Sequence, residues 1–185
     1  MNWTNTNQRY GALSIAMHWI MFLLIAVTFA SIELRELFEK GTEMRDAFKR
    51  WHFTLGLTVL ALVVLRVFIM VLQTSPENLS TDSSTRGALQ QSLAKVVHAV
   101  LYVFMIAMPI AGWLILSGEG KVIPFYGWEL PALMAENKGL ADLIEEIHKT
   151  GGVIGYWLIG LHAFVALFHH YVLKDNTLLR MLPKK

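Results

Sequence analysis

Four long apolar runs, separated by short polar stretches, organise this chain. They cover residues 14–32, 52–72, 96–116 and 150–172, and each reaches the roughly 20 apolar residues that a helix needs to cross a bilayer. A helix satisfies its own backbone in lipid, so runs of this length predict transmembrane helices. Residues 73–82, QTSPENLSTD, are polar and carry a proline, which breaks the chain between the second and third helices. The longest connector, residues 117–147, carries GEGKVIPFYGWELP and then an acidic amphipathic stretch, ENKGLADLIEEIH. It is expected to fold back onto the helix ends. Little chain is left for a soluble domain, so residues 1–185 read as a single membrane domain, an all-α integral membrane four-helix bundle. The opening MNWTNTNQRYGALS lacks the basic region, apolar stretch and small-residue cleavage site of a secretory signal. The first run is therefore expected to be a retained helix.

Composition narrows the chemistry. Hydrophobic residues make up 55% of the chain and charged residues 16%, and the charges crowd between the apolar runs, as lipid requires. Cysteine is absent, which excludes a disulfide framework, an iron–sulfur cluster and a thiolate-bound metal. A formal net charge of +2, with no basic patch interleaved with aromatics, argues against nucleic acid as a partner. Four spans place both termini on one side of the membrane. Arg9, Arg86, Lys95, Lys174, Arg180, Lys184 and Lys185 on that side nearly balance Arg35, Lys40, Arg45, Lys49, Arg50, Lys121, Lys138 and Lys149 opposite. The positive-inside rule thus specifies orientation only weakly.

All seven histidines, His18, His52, His98, His148, His162, His169 and His170, fall within or at the ends of the apolar runs. Ionisable groups in a membrane are costly unless paired or bound, so they start as functional candidates. Interfacial histidines and helix-to-helix hydrogen bonds are the plain alternatives. His148 and His162 are fourteen residues apart, which on a helix is about 21 Å along the axis and a drift of only about 40° around it. One face therefore offers two imidazoles at two depths, the arrangement that two stacked haems need. Helix direction supplies the second ligand of each. His52, at the start of the second span, is level with His148, and His18, early in the first, comes near the level of His162. The expected axial ligands to haem iron are thus His52 with His148, and His18 with His162. Gly151, Gly152 and Gly155 follow His148 on its own face and Gly56 follows His52 by one turn, leaving room for a flat macrocycle, whereas Gly160 reads as a close-packing residue.

Arg66 is the one formal charge deep in a span, fourteen residues beyond His52. A buried guanidinium demands an anion, and a haem propionate or a contact on the quinone side fits that need; the alternative is that Arg66 snorkels to the interface. His98 and His169 are left over near one membrane face. A quinone headgroup accepts hydrogen bonds and takes up protons on reduction, so they form a possible quinone site. They could equally be interfacial anchors, with His170, beside Tyr171 and Trp157.

These residues resemble the bacterial cytochrome b561 family of small di-haem membrane cytochromes, over nearly the full chain. SIAMHWIMFLL, RWHFTLG, His98 with Tyr102 and the Pro109–Gly112 kink, EEIHKTGG, and above all IGLHAFVALFHHYVLKDNTLLRMLPKK carry the likeness, which is strongest to the family's superoxide-oxidising members. The resemblance implies two non-covalent haems b with bis-histidine ligation, a bacterial inner-membrane location, cytoplasmic termini and electron exchange with ubiquinone. It also implies a periplasmic donor such as superoxide, and it places His169 at a position associated with the quinone. Arg45, Lys49 and Arg50 precede His52 and suit an anionic donor, although Glu33, Glu36, Glu39, Glu43 and Asp46 share that region. The expected function is electron transfer from a small donor to ubiquinone. The competing function is a cytochrome relay or anchor subunit that passes electrons between quinone and a partner redox protein. A non-haem di-iron hydroxylase needs clustered histidine boxes on one aqueous side, which this spacing does not offer.

Overall fold

A computed structural model describes residues 2–74, 76 and 85–183. Lys184, Lys185, the side chain of Arg86 and most of the 73–82 break lie outside the described residues. In chain order the elements are α1 (Ala12–Arg35), α2 (Glu43–Leu72), α3 (Thr85–Gly118), strands β1 (Ile123–Phe125) and β2 (Trp128–Leu130), α4 (Lys138–Tyr171) and a short 3-10 turn, Leu179–Met181. All four α-helices are long and apolar enough to cross a membrane. Their outward faces stay apolar, with Val71 75% and Trp157 79% exposed, which suits lipid and not water.

The helices outrun the apolar runs. α2 starts at Glu43, well before His52, and α4 absorbs most of the acidic stretch that the sequence suggested as a separate loop. Asn137 starts α4 by accepting a hydrogen bond from the Leu140 N–H at 3.1 Å, an N-cap in the usual sense. Its own N–H donates to the Gly118 carbonyl at 2.9 Å. That crossing is tight, because a Cβ on Gly118 would lie 3.0 Å from the Ala141 Cβ.

The chain divides into two compact units, and each draws a segment from every helix: residues 1–19, 65–104 and 154–185 form one, and residues 20–64 and 105–153 the other. The second unit contains the hairpin that connects α3 to α4. Tyr126 and Gly127 take positive φ, 48° and 87°, between the paired Phe125 and Trp128, as a two-residue hairpin turn requires. Ile123 packs with Leu57 and Leu116, flanked by Phe53, Trp113, Phe125 and Leu130, so the hairpin is tied to α2 and α3. Trp113 Nε1 donates to the Pro131 carbonyl at 2.9 Å.

Arg45 closes the turn from α1 to α2. It is 8% exposed and donates to the Phe38 carbonyl at 2.7 Å, to the Arg35 carbonyl at 3.3 Å and to both oxygens of Glu36 at 3.0 and 2.9 Å. Its charge is spent on the turn, so the expectation that Arg45 helps to draw in an anion is replaced by a structural role.

In the first unit the segment before α1 is pinned. Asn5 Oδ1 accepts from the Gly11 N–H at 2.9 Å and the Ser14 hydroxyl at 2.8 Å, and the Asn5 N–H donates to Gln73 Oε1 at 3.1 Å. Trp19 Nε1 donates to the Met181 carbonyl at 2.7 Å, which fastens the C-terminal turn to α1.

Candidate cofactor site

Each unit holds one pair of histidines drawn from different helices. In the second unit, His52 of α2 faces His148 of α4 with ring centres 6.2 Å apart and planes at 86°. In the first, His18 of α1 faces His162 of α4 at 6.3 Å and 59°. Two imidazoles bonded at about 2.0 Å to opposite sides of one metal ion have ring centres roughly 6 Å apart, so both spacings suit an iron held between the rings.

The hydrogen bonds decide which nitrogens are on offer. His52 Nδ1 lies 3.0 Å from the Thr28 carbonyl. A carbonyl only accepts, so the proton sits on Nδ1 and the Nε2 lone pair is left for a ligand, as in other metal-binding histidines. His148 Nδ1 is buried with no hydrogen-bond partner, with the Met108 carbonyl the acceptor on offer. Such an orphaned polar atom calls for a change in its surroundings.

The glycines separate into two kinds. A Cβ added at Gly56 or Gly152 would meet nothing within 4 Å, so the space one turn beyond His52 and His148 is open, as a flat macrocycle needs. Gly112 of α3 borders the same place, its Cβ position 3.6 Å from His148 Cε1. Gly151 behaves otherwise: a Cβ there would fall 2.7 Å from Met108 Sδ, so it serves close packing. Gly160, expected to pack closely, has open space beside it.

Around His18 the charges matter. Arg66 Nη2 donates to His18 Nδ1 at 3.3 Å and Nε donates to the Tyr102 hydroxyl at 3.1 Å, with the guanidinium 5.9 Å from the centre of the Tyr102 ring. Among the described residues no carboxylate pairs with Arg66. Arginine only donates, so His18 Nδ1 accepts and the ring proton sits on Nε2. His18 therefore offers its Nε2 lone pair only once Arg66 lets go, for which an incoming anion gives Arg66 a reason.

His98 and His169 have different surroundings. His98 packs edge-on against His162 at 5.3 Å and donates from Nδ1 to the Ala94 carbonyl at 2.6 Å, so it belongs with His18 and His162. His169 Nδ1 lies 2.5 Å from Asp175 Oδ2 and its Nε2 lies 3.3 Å from Gln90 Nε2. Sequence reasoning missed Asp175 and Gln90. The one available signal was the KDN that follows the end of α4, a composition that turns chains back on themselves. Burial alone would raise the Asp175 carboxyl, but hydrogen bonds from His169 and Thr177 outweigh it and hold the group below the usual carboxylate range. Among the described residues no group of three or more histidine or acidic side chains is placed to hold a metal ion.

The match to known proteins follows this geometry. The family model for prokaryotic cytochrome b561 covers residues 9–184. The chain belongs to that family. It is 36% identical over 177 residues to cytochrome b561 homolog 1 of Escherichia coli K12, across 96% of this chain and 98% of the relative. It is 37% identical over 179 residues to a probable superoxide oxidase, CybB, of Yersinia pestis, across 97% and 98%. Cytochrome b561 homolog 2 of E. coli K12 is 31% identical over 192 residues, across 100% and 96%. As a member of the prokaryotic cytochrome b561 family the chain is a multi-pass membrane cytochrome, an electron-transfer protein of oxidoreductase type, and membership implies haem b. The donor set fits that group: imidazoles in facing pairs, open space at glycines beside one pair and, among the described residues, an arginine without a carboxylate partner beside the other.

At the start of α2 the second unit has a recess of about 270 Å³ lined by Ala47, Arg50, Trp51, Thr54, Pro124, Tyr126 and Gly127, and His52 is not among its lining residues. Arg50 is exposed there, while Lys49 lies over the Phe53 ring at 5.7 Å.

Proposed function

We propose that this cytochrome carries electrons from a small periplasmic donor, superoxide by preference, to ubiquinone, through two haems b in one chain. His52 and His148 hold one haem, and His18 and His162 hold the other. The observation that carries this reading is the recurrence of one geometry twice, with ring centres at 6.2 and 6.3 Å. When bound, haem iron supplies one-electron storage at each level.

The remaining work falls to the chain's own residues. Thr28 fixes the tautomer of His52 through its carbonyl. Arg66, released from His18, neutralises a propionate or stands on the quinone side, with Tyr102 steadying its Nε. Arg50, exposed and two residues before His52 in the chain, gives an anion an approach, since a local positive charge raises the encounter rate of anions. The superoxide oxidase name borne by the Yersinia pestis relative supports that donor. Quinone is proposed to meet the chain beside His169, with His98 kept as a neighbour of the His18–His162 pair. The bilayer is the inner membrane, and both termini are proposed to face the cytoplasm.

The test is a redox-difference absorption spectrum of the purified, haem-loaded protein, with haem counted per chain, followed by rapid mixing with superoxide and then with quinone. Two haems per chain, reduced by superoxide and reoxidised by quinone with no other protein present, is the expected result. Haems that stay silent to superoxide but respond to a partner dehydrogenase point to the relay function instead.

A further inference from the structure

The C-terminal end of α4 carries an arrangement that electron transfer alone does not use. α4 ends at Tyr171, and Lys174 then takes a left-handed backbone, φ 55°, an uncommon conformation for a residue with a side chain. The reversal brings the Asp175 N–H to the His169 carbonyl at 3.1 Å and the Asp175 carboxylate to the His169 ring. Asp175 Oδ2 lies 2.5 Å from His169 Nδ1, and Oδ1 accepts from the Thr177 N–H at 2.8 Å. The carboxylate is thus oriented by one backbone donor and spends its other oxygen on one imidazole nitrogen. His169 Nε2 points the other way, toward the Gln90 amide of α3 at 3.3 Å. The side chain of His169 is 14% exposed and that of Asp175 33%, so the pair is sheltered on the histidine side and reaches solvent on the acid side.

We infer that Asp175 is the positioning residue of a proton donor: it holds His169 with Nδ1–H on its carboxylate, so that a second proton taken up on Nε2 is charge-compensated and available to a reduced quinone. The inference rests on the quinone reading above and goes beyond it by naming how a proton reaches that site. The balance is that of quinone reduction. Two electrons from reduced haem and two protons convert the quinone to quinol; one O–H bond forms as the His169 Nε2–H bond breaks, and the other proton comes from solvent. His169 is left with its Nε2 lone pair facing the Gln90 NH₂, an arrangement that the 3.3 Å contact between the two nitrogens fits. An amide that turns by 180° presents its oxygen to the protonated ring and its NH₂ to the neutral one, so Gln90 accommodates both. The carboxylate on Nδ1 keeps the ring from rotating between them, as in other acid–base histidines with a carboxylate orienter.

The test uses the haem-loaded full chain, chemically reduced, and compares reoxidation by decylubiquinone with reoxidation by ferricyanide, which takes electrons without protons. Asp175→Asn keeps the shape and the contact with Thr177 but removes the charge. It is expected to slow the quinone reaction about 10- to 100-fold, less than the roughly 10²- to 10⁴-fold of a whole acid–base contribution because His169 itself remains. The fall should lie in kcat with KM unchanged, and the ferricyanide rate and haem spectrum should not move. Asp175→Glu should recover part of the loss. Redox-induced infrared difference spectra with ring-15N histidine should show an imidazole band on quinone reduction in the wild type and lose it in Asp175→Asn. Wild-type protein that ferricyanide reoxidises and quinone does not would sink the quinone reading itself. Reoxidation of the wild type by quinone with Asp175→Asn equally fast, or with both acceptors slowed alike, would overturn the role of Asp175 and leave the quinone reading standing.

Discussion

The Thr28 carbonyl accepts a hydrogen bond from His52 Nδ1 at 3.0 Å, and this one contact decides which nitrogen of His52 is left for a ligand. The partner carbonyl belongs to α1, twenty-four residues away in sequence, while the facing imidazole belongs to α4. Three helices therefore cooperate in this one arrangement, and under the proposed ligation two separate imidazoles must be present for the haem to stay.

Loss of either member of a pair should remove one haem and spare the other. His52→Ala and His148→Ala are each expected to halve the haem content by losing the same spectral component, and His18→Ala and His162→Ala to halve it by losing the other. A pyridine haemochrome assay with low-temperature difference spectra reads both quantities. Unchanged haem in all four variants, or loss of the same component from all four, would rule the pairing out.

Open space at a glycine makes a second prediction, because filling it tests for the macrocycle without touching a ligand. A Cβ at Gly152 or at Gly56 meets nothing within 4 Å in the protein, so Gly152→Leu and Gly56→Leu are expected to leave the polypeptide folded. They should lower occupancy of the His52–His148 haem severalfold. Gly160 also has open space beside it but lies twelve residues beyond His148 on α4, so Gly160→Leu should retain the His52–His148 haem. Equal occupancy of that haem in all three variants, read from its spectral component per chain, counts against a haem beside Gly56 and Gly152.

How much of this was legible in the sequence follows from what each signal reports. The fourteen-residue step from His148 to His162 and the antiparallel run of the helices brought together His52 with His148 and His18 with His162, because helix pitch and chain direction are nearly rigid. The ends of the helices were not legible. A hydropathy run marks only what lipid covers, and the polar first turns of α2 and α4 continue the same helix outside it. Arg45 counted as one basic residue among several, and only the turn geometry shows it buried on the Phe38 and Arg35 carbonyls. Gly151 and Gly152 are adjacent and look alike in sequence, yet one abuts Met108 and the other borders open space. A difference of 100° around a helix is invisible until its neighbours are known. His169 and Asp175 meet only because Lys174 takes a left-handed backbone, a choice that composition permits without requiring.

Arg66 predicts an electrostatic effect. A unit positive charge about 10 Å from an iron, at an effective dielectric of about 20, favours the reduced form by roughly 1–2 kcal/mol, or several tens of millivolts. Arg66→Gln keeps a donor toward Tyr102 and removes the charge, so the midpoint potential of the His18–His162 haem should fall by that amount while the other moves less. Arg66→Lys should restore most of the potential, since it keeps the charge. Spectroelectrochemical titration resolves the two haems. A fall confined to the His52–His148 haem would displace Arg66 from the role proposed for it.

Acid should expose the contribution of the turn between α1 and α2. Hydrogen bonds from Arg45 hold the Glu36 carboxyl below its ordinary range, helped by the nearby charges of Arg45, Arg35 and Lys40 against a smaller effect of burial. A carboxyl whose folded value is depressed stabilises the fold above its unfolded value, and that stabilisation fades as pH falls through the folded value. Glu36→Gln should therefore melt below the wild type at neutral pH, with the two curves converging in acid below the ordinary glutamate range. Arg45→Ala differs in kind, because it removes the donor to the Phe38 and Arg35 carbonyls as well. Loss of charge-assisted hydrogen bonds of this kind costs about 2–3 kcal/mol, and here it should persist at every pH. Thermal loss of the Soret band in detergent, followed from neutral pH downward, separates the two variants. Parallel melting of wild type and Glu36→Gln across the whole range would show that the ion pair leaves the turn no more stable than a neutral contact does.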